Sequence, residues 1–162
     1  MSMIGNFMIV SDSEIEKLLA NPSSIVAFLQ PRMETPGAML DVDKAWHGIH
    51  WLLNGFAWEG AWPTGFIVAG GTSVGDEDVG YGPARALRSE EVAEVNAALQ
   101  KISSERLKEN FDADELASAE IYPQIWDEGD EALDYLVSNY EDLKKYVADA
   151  AAKKMGMLVW IG

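Results

Sequence analysis

The chain has 162 residues, 48% of them hydrophobic, with six Trp, five Tyr and five Phe. That is ample material for one packed domain spanning 1–162 and excludes an intrinsically disordered chain. A formal charge of −15 repels phosphate backbones and anionic membrane surfaces, and the lack of cysteine excludes disulfides, thiolate metal sites and thiol nucleophiles.

The acidity is uneven: residues 1–88 hold 10 acids and 5 bases, whereas 89–162 hold 17 and 7. Such a surface attracts a basic protein, although solubility alone is the simpler account of it. The N-terminus lacks the basic n-region of a signal peptide, and no apolar run approaches the about 18 residues of a membrane span. The expected location is the cytoplasm, with no nucleic-acid or membrane partner.

In chain order, residues 3–10 are β-branched and aromatic enough for a strand, and Ser11, Asp12 or Ser13 can cap a helix that runs to about Ala20 and stops at Asn21-Pro22. SSIVAFLQ reads as a short helical or irregular piece leading into Pro31. The stretch LDVDKAWHGIHWLLNG, residues 40–55, holds both histidines and two of the six tryptophans. It predicts the central helix, capped by Asp41 and ended by Gly55 as a C′ glycine, with Val42, Ala45, Trp46, Ile49, Leu52 and Leu53 on one apolar arc. FAWEGAWPTG predicts an aromatic loop, FIVAGG a buried strand, and Ala84–Leu87 another strand. Ser89 opens a helix with acids in its first turn, and shorter helices follow, one capped by Asp112 or Asp114. Residues 130–154 predict a pair of helices, and MGMLVWIG a closing strand buried on both faces, a candidate neighbour of the first strand. Strands separated by helices predict an α/β fold, a layered single-domain sandwich with a small mixed sheet flanked by helices.

Within the central helix, Asp43, His47, His50 and Asn54 form a second stripe, spaced so that neighbours can touch. Two imidazoles and a carboxylate on one face are compatible with a metal or with a general base oriented by Asp43. No fourth ligand is indicated, so no metal or cofactor is assigned. The simpler reading is a polar border of a buried helix, with Trp46 and His50 stacked as i, i+4 neighbours and Asp43 drawn to the helix N-terminus.

The opening MSMIGNF, the helix LDVDKAWHGIHWLLNG, the segment GYGPARALRSEEV, AEIYPQIWDE and DYLVSNYEDLKKYV together resemble the YfbM-like family of bacterial domains of unknown function. The resemblance covers nearly the whole chain. It implies a compact single-domain α/β sandwich in a bacterial cell, and it carries over no activity, substrate or cofactor.

Two further constellations bear on chemistry. Gly80-Tyr81-Gly82-Pro83-Ala84-Arg85 combines glycines that allow close backbone approach with an arginine able to clamp a carboxylate or phosphate, yet it matches neither the P-loop nor the dinucleotide pattern. Arg85 is more simply the partner of an internal carboxylate, with Glu120 as the candidate. Glu120 and Tyr122 share one side of an extended segment closed by Pro123 and read first as a boundary pair. Two functional readings result. The first is a protein-binding module, in one version inhibitor- or immunity-like, with an acidic face and exposed aromatics among Trp58, Trp62, Tyr81 and Trp126. The second is a small-molecule hydrolase or transferase in which Asp43, His47, His50, Glu120 and Tyr122 supply acid–base groups, while Gly80, Tyr81, Gly82, Arg85, Trp58 and Trp62 hold the ligand.

Overall fold

The computed structural model describes residues 2–162. At its centre lies one sheet of order β2-β1-β5-β4-β3, built from β1 (Gly5–Val10), β2 (Leu40–Asp41), β3 (Thr72–Ser73), β4 (Arg85–Leu87) and β5 (Gly156–Ile161). The terminal strands β1 and β5 are full-length neighbours, paired from Gly5↔Ile161 to Val10↔Gly156, so both ends of the chain are tied into the core. The layered α/β fold is as expected, but every strand pairing is antiparallel where a mixed sheet was anticipated. An intervening helix sets strand direction only when the connection is a crossover, and antiparallel ladders need none.

The period of two along the strands divides the core. Phe7, Val159, Leu87 and Met157 face the larger cluster, which is shared with α3 (Trp46–Asn54), α4 (Ser89–Gln100) and α7 (Asp130–Ala152). Met8, Val10, Ala86, Leu158 and Trp160 face the smaller one, covered by α1 (Asp12–Ala20) and α2 (Ile25–Met33). Helix α1 begins as the sequence predicts: Ser11 Oγ accepts from Glu14 N–H, and Glu14 returns a carboxylate to Ser11 N–H. Asp12 also reaches across to the start of α4, accepting from Ser89 N at 2.8 Å.

Three expectations change. FIVAGG forms a turn, and Phe66 and Ile67 are fully buried without belonging to a strand. Pro31 lies inside α2, where it removes one helical N–H near an exposed end. The region 130–154 is one helix of 23 residues, followed through its length by Leu136, Tyr140, Leu143 and Val147. Three tyrosines fasten α7 to the remainder. Tyr135 Oη accepts from Lys44 N, Tyr140 Oη donates to Ile102 O, and Tyr146 Oη accepts from Ile9 N. The last of these covers a strand amide that the two-residue β2 is too short to reach. Short helices α5 (Ser104–Lys108) and α6 (Ala113–Ser118) complete the chain, the latter capped by Asp112 as predicted. No helix is long and apolar enough to cross a membrane.

Trp46 is 2% exposed, and its indole N–H donates to Met3 O at 2.9 Å. Trp46→Ala is therefore expected to lower the unfolding free energy by about 3 to 5 kcal/mol, read by urea titration. Gly48, inside α3, has Leu136 Cδ2 only 2.6 Å and Trp126 Cη2 3.0 Å from where a Cβ would stand. Gly48→Ala would gain about 1 kcal/mol of helix propensity on a free surface. Here overpacking of about 1 to 3 kcal/mol outweighs it, so the urea midpoint is expected to fall, and a rise would refute the tight contact.

Candidate functional site

Helix α3 ends at Gly55, whose φ of 78° gives the left-handed cap that the sequence suggests. Of the predicted apolar arc, Val42, Ala45, Trp46, Ile49 and Leu52 are at most 2% exposed, whereas Leu53 is half-buried at its edge. Both histidines are buried as well and point at the aromatic loop that follows the helix. His47 Nε2 lies 2.8 Å from Ala57 O, and His47 Nδ1 lies 2.9 Å from Tyr122 N. A carbonyl only accepts and a backbone N–H only donates, so His47 is neutral with its proton on Nε2. His50 repeats the device, with Nε2 donating to Glu59 O at 2.9 Å and Nδ1 accepting from Asn54 Nδ2 at 3.2 Å. Asn54 then clasps Thr64, donating to its carbonyl and accepting from its hydroxyl, both at 2.9 Å. The polar stripe of α3 thus holds the loop 56–64 by its backbone.

The other members of the proposed acid–base set stand elsewhere. Asp43 precedes α3 in a 3₁₀ turn with φ of 52°, and its carboxylate accepts from Tyr135 Oη at 2.7 Å on α7. It orients neither histidine, because a break at Val42–Ala45 takes it off the α3 stripe. Asp41, expected to cap the helix, lies in β2 with its Oδ1 accepting from Asp43 N, and α3 starts at Trp46 with no side-chain cap. Glu120 is exposed at a positive φ of 55° and makes no ion pair with Arg85. Tyr122 touches His47 through its amide, while its hydroxyl accepts from Met3 N at 3.1 Å. Trp46 stacks on His47 at 4.9 Å, where His50 was expected, because consecutive helical side chains here both turn toward the loop. Among the described residues, no group of three His, Cys, Asp or Glu side chains comes together as a metal set would.

Arg85 follows a different logic from the predicted ion pair. It lies in a sheet row whose cross-strand neighbours are Val159 on β5 and Ser73 on β3. Its Nη1 donates to Gly70 O at 2.9 Å, and its Nη2 donates to Phe66 O and Ile67 O at 2.9 and 2.6 Å. The guanidinium therefore caps the open carbonyl end of the 61–70 turn, a task usually met at helix C-termini. No salt bridge of Arg85 occurs among the described residues, and burial pushes its pKa down to about 10.

Four of the six ligand-binding candidates meet at one cleft of about 500 Å³: Trp58, Tyr81, Gly82 and Arg85. Trp58 rests on the His47 ring at 4.4 Å between centroids yet stays 63% exposed, and Tyr81 is 46% exposed. Trp62 lies apart, its indole N–H donating to Glu94. Gly80 packs on the chain terminus, where a Cβ would stand 2.4 Å from Gly162 Cα. Trp126, expected at the surface, is buried with its N–H on Ile121 O. Ser73, Ile67 and Trp160 also line the cleft. Sequence reasoning missed them, since only the sheet register puts Ser73 beside Arg85.

Burial holds the pKa of both histidines below the ordinary imidazole value, and a second proton would oppose the donors already facing their Nδ1 atoms. The unfolded chain takes up those protons more readily. Stability is thus full above about pH 6.5 and declines as pH falls from there toward the lower folded-state values. With only two histidines in the chain, urea midpoints measured between about pH 7.5 and 5 should fall. A flat profile would contradict the neutral pair.

No curated protein matches the chain. Among solved structures it is similar to a protein of unknown function, YfbM from Escherichia coli, with a TM-score of 0.77 and 24% identity over 99% of this chain and 100% of that one. The likeness shows the fold. A family model described as a domain of unknown function matches residues 1–160, in line with the resemblance carried by the central helix and the GYGPAR segment. The chain belongs to that family, DUF1877.

Proposed function

We propose that this domain is a protein-binding module that docks a basic partner on an acidic surface formed by α6, the turn at Trp126 and the first half of α7. One observation carries the reading. Between Lys108 and Lys144 there is no lysine or arginine, while twelve aspartates and glutamates occur there, each exposed. Among the described residues only Glu109 of this set is ion-paired, with Arg106. The turn at Trp126 packs against both α6 and α7, so charges on neighbouring segments add where they lie within a screening length of about 8 Å. Such a field raises the encounter rate of a basic protein and rejects acidic ones. An inhibitor or immunity-like role toward a basic enzyme is one concrete form of the proposal, set in a bacterial cell as the family resemblance implies and in its cytoplasm as expected from the sequence. The hydrolase or transferase reading draws no comparable support, because its acid–base residues do not converge.

The test compares two baits in cytosol from the source organism at about 50 mM salt. One is the natural domain; the other carries Glu120→Gln, Asp127→Asn, Glu128→Gln and Asp134→Asn, exposed side chains that make no hydrogen bond among the described residues. The expected result is a basic protein retained by the first bait, released by about 300 mM salt, absent from the second and reproduced with purified components. Identical captures by the two baits would overturn the proposal.

A further inference from the structure

The cleft beneath Trp58 and Tyr81 lies away from the acidic surface: none of the acids between Lys108 and Lys144 lines it. Its floor is the pleated face of the sheet. The row Leu40–Phe7–Val159–Arg85–Ser73 crosses all five strands in register, and Phe7 and Val159 are fully buried. At Arg85 the row turns polar and the covering helices stop, which opens a space of about 500 Å³, a size that suits a ligand of one or two rings. Trp46, Trp58, Ile67 and Ile161 give it apolar walls.

Among the described residues, Arg85 is the only charged one that lines this space. A guanidinium has five N–H donors, and three are taken by the carbonyls of Phe66, Ile67 and Gly70. The remaining donors have no partner within the described residues, and neither do the hydroxyls of Ser73 and Tyr81. Ser73 and Tyr81 are exposed, and the unpartnered Arg85 Nε is not among the buried unsatisfied atoms of the described residues, so these groups are open to a ligand. The carbonyl contacts hold the guanidinium rigid before anything binds, and a positive charge with no carboxylate beside it favours an anion in apolar surroundings. Asp76, Glu77 and Asp78 occupy the same loop as Tyr81 but are exposed and do not line the cleft. Water and salt screen them more strongly than they screen a direct contact.

We propose that this cleft binds a flat apolar or aromatic monocarboxylate, its ring between Trp58 and Tyr81 and its carboxylate on the spare donors of Arg85 and Ser73. The site stands independently of the protein-binding surface, and either can fail alone.

Titration calorimetry on the intact chain, with indole-3-acetate, benzoate and octanoate as probes and indole-3-acetamide and tryptamine as controls, tests the assignment. At least one aromatic carboxylate should bind saturably and at least about tenfold more tightly than its amide, the difference a charge-assisted contact supplies. Trp58→Ala should weaken it about fivefold by removing the ring stack, and Ser73→Ala should weaken the acid without changing the amide. Arg85→Gln, which removes the charge, should abolish the preference for the acid; because Arg85 also supports the 61–70 turn, the Trp58 and Ser73 variants decide if that protein fails to fold. Equal affinity for acid and amide, tighter binding of tryptamine, unchanged binding by Trp58→Ala, or no saturable binding of any probe up to about 10 mM would each overturn the proposal.

Discussion

A backbone carbonyl on one ring nitrogen and a hydrogen-bond donor on the other leave an imidazole one comfortable state, neutral and protonated at Nε2. Helix α3 places two such rings a turn apart, and much of the local architecture depends on them. His47 joins the loop at Ala57 to the amide of Tyr122, two segments far apart in sequence; His50 and Asn54 extend the clasp to Glu59 and Thr64. Trp58 is carried by that loop and lies on His47, so the outer wall of the cleft takes its place from the same bonds. Arg85 performs the matching task on the opposite wall by binding the carbonyls of the 61–70 turn. Polar side chains that resemble a catalytic set when read in a line are, in the fold, the fittings that let irregular backbone run over a buried helix.

Local patterns were the most legible part of the fold. The capping box at Ser11, the left-handed cap at Gly55 and the core stripe through Trp46 and Ile49 each depend on residues within one or two turns, and each is present. The two terminal strands pair along their full length, and they were legible as candidate neighbours. The direction of the strands was not, because it rests on how connections double back. FIVAGG was misread because an apolar run records burial and leaves the conformation open: Phe66 and Ile67 are buried by the sheet beneath them while Arg85 takes their carbonyls. Of the ligand-binding candidates, Trp58, Tyr81, Gly82 and Arg85 come to line one cleft, whereas Gly80 and Trp62 do not. Asp43 was misplaced by a single irregular turn, which rotates it off the stripe and onto Tyr135.

The charge of the chain has little to do with what holds it together. The four ion pairs among the described residues join side chains that are all at least one third exposed, where such pairs contribute between nothing and about 1 kcal/mol each. Stability comes from two apolar layers on one sheet and from tyrosine, tryptophan and histidine bonds to backbone. The acids are thereby free to form a surface field, concentrated where the chain goes from Lys108 to Lys144 without a base. Arg85, half-buried and without a carboxylate partner among the described residues, lines an apolar cleft instead. The domain thus carries an exposed acidic stretch on its helices and, over the sheet, a separate apolar cleft with one arginine in its lining.

The central claim, that the two imidazoles are neutral structural fittings, is tested most directly by a long-range ¹H–¹⁵N correlation spectrum of the histidine side chains at about pH 7. The account predicts two rings, both neutral, both carrying the proton on Nε2, with a protonated-nitrogen shift there and an acceptor-nitrogen shift at Nδ1. A cationic ring, or either proton on Nδ1, would contradict it.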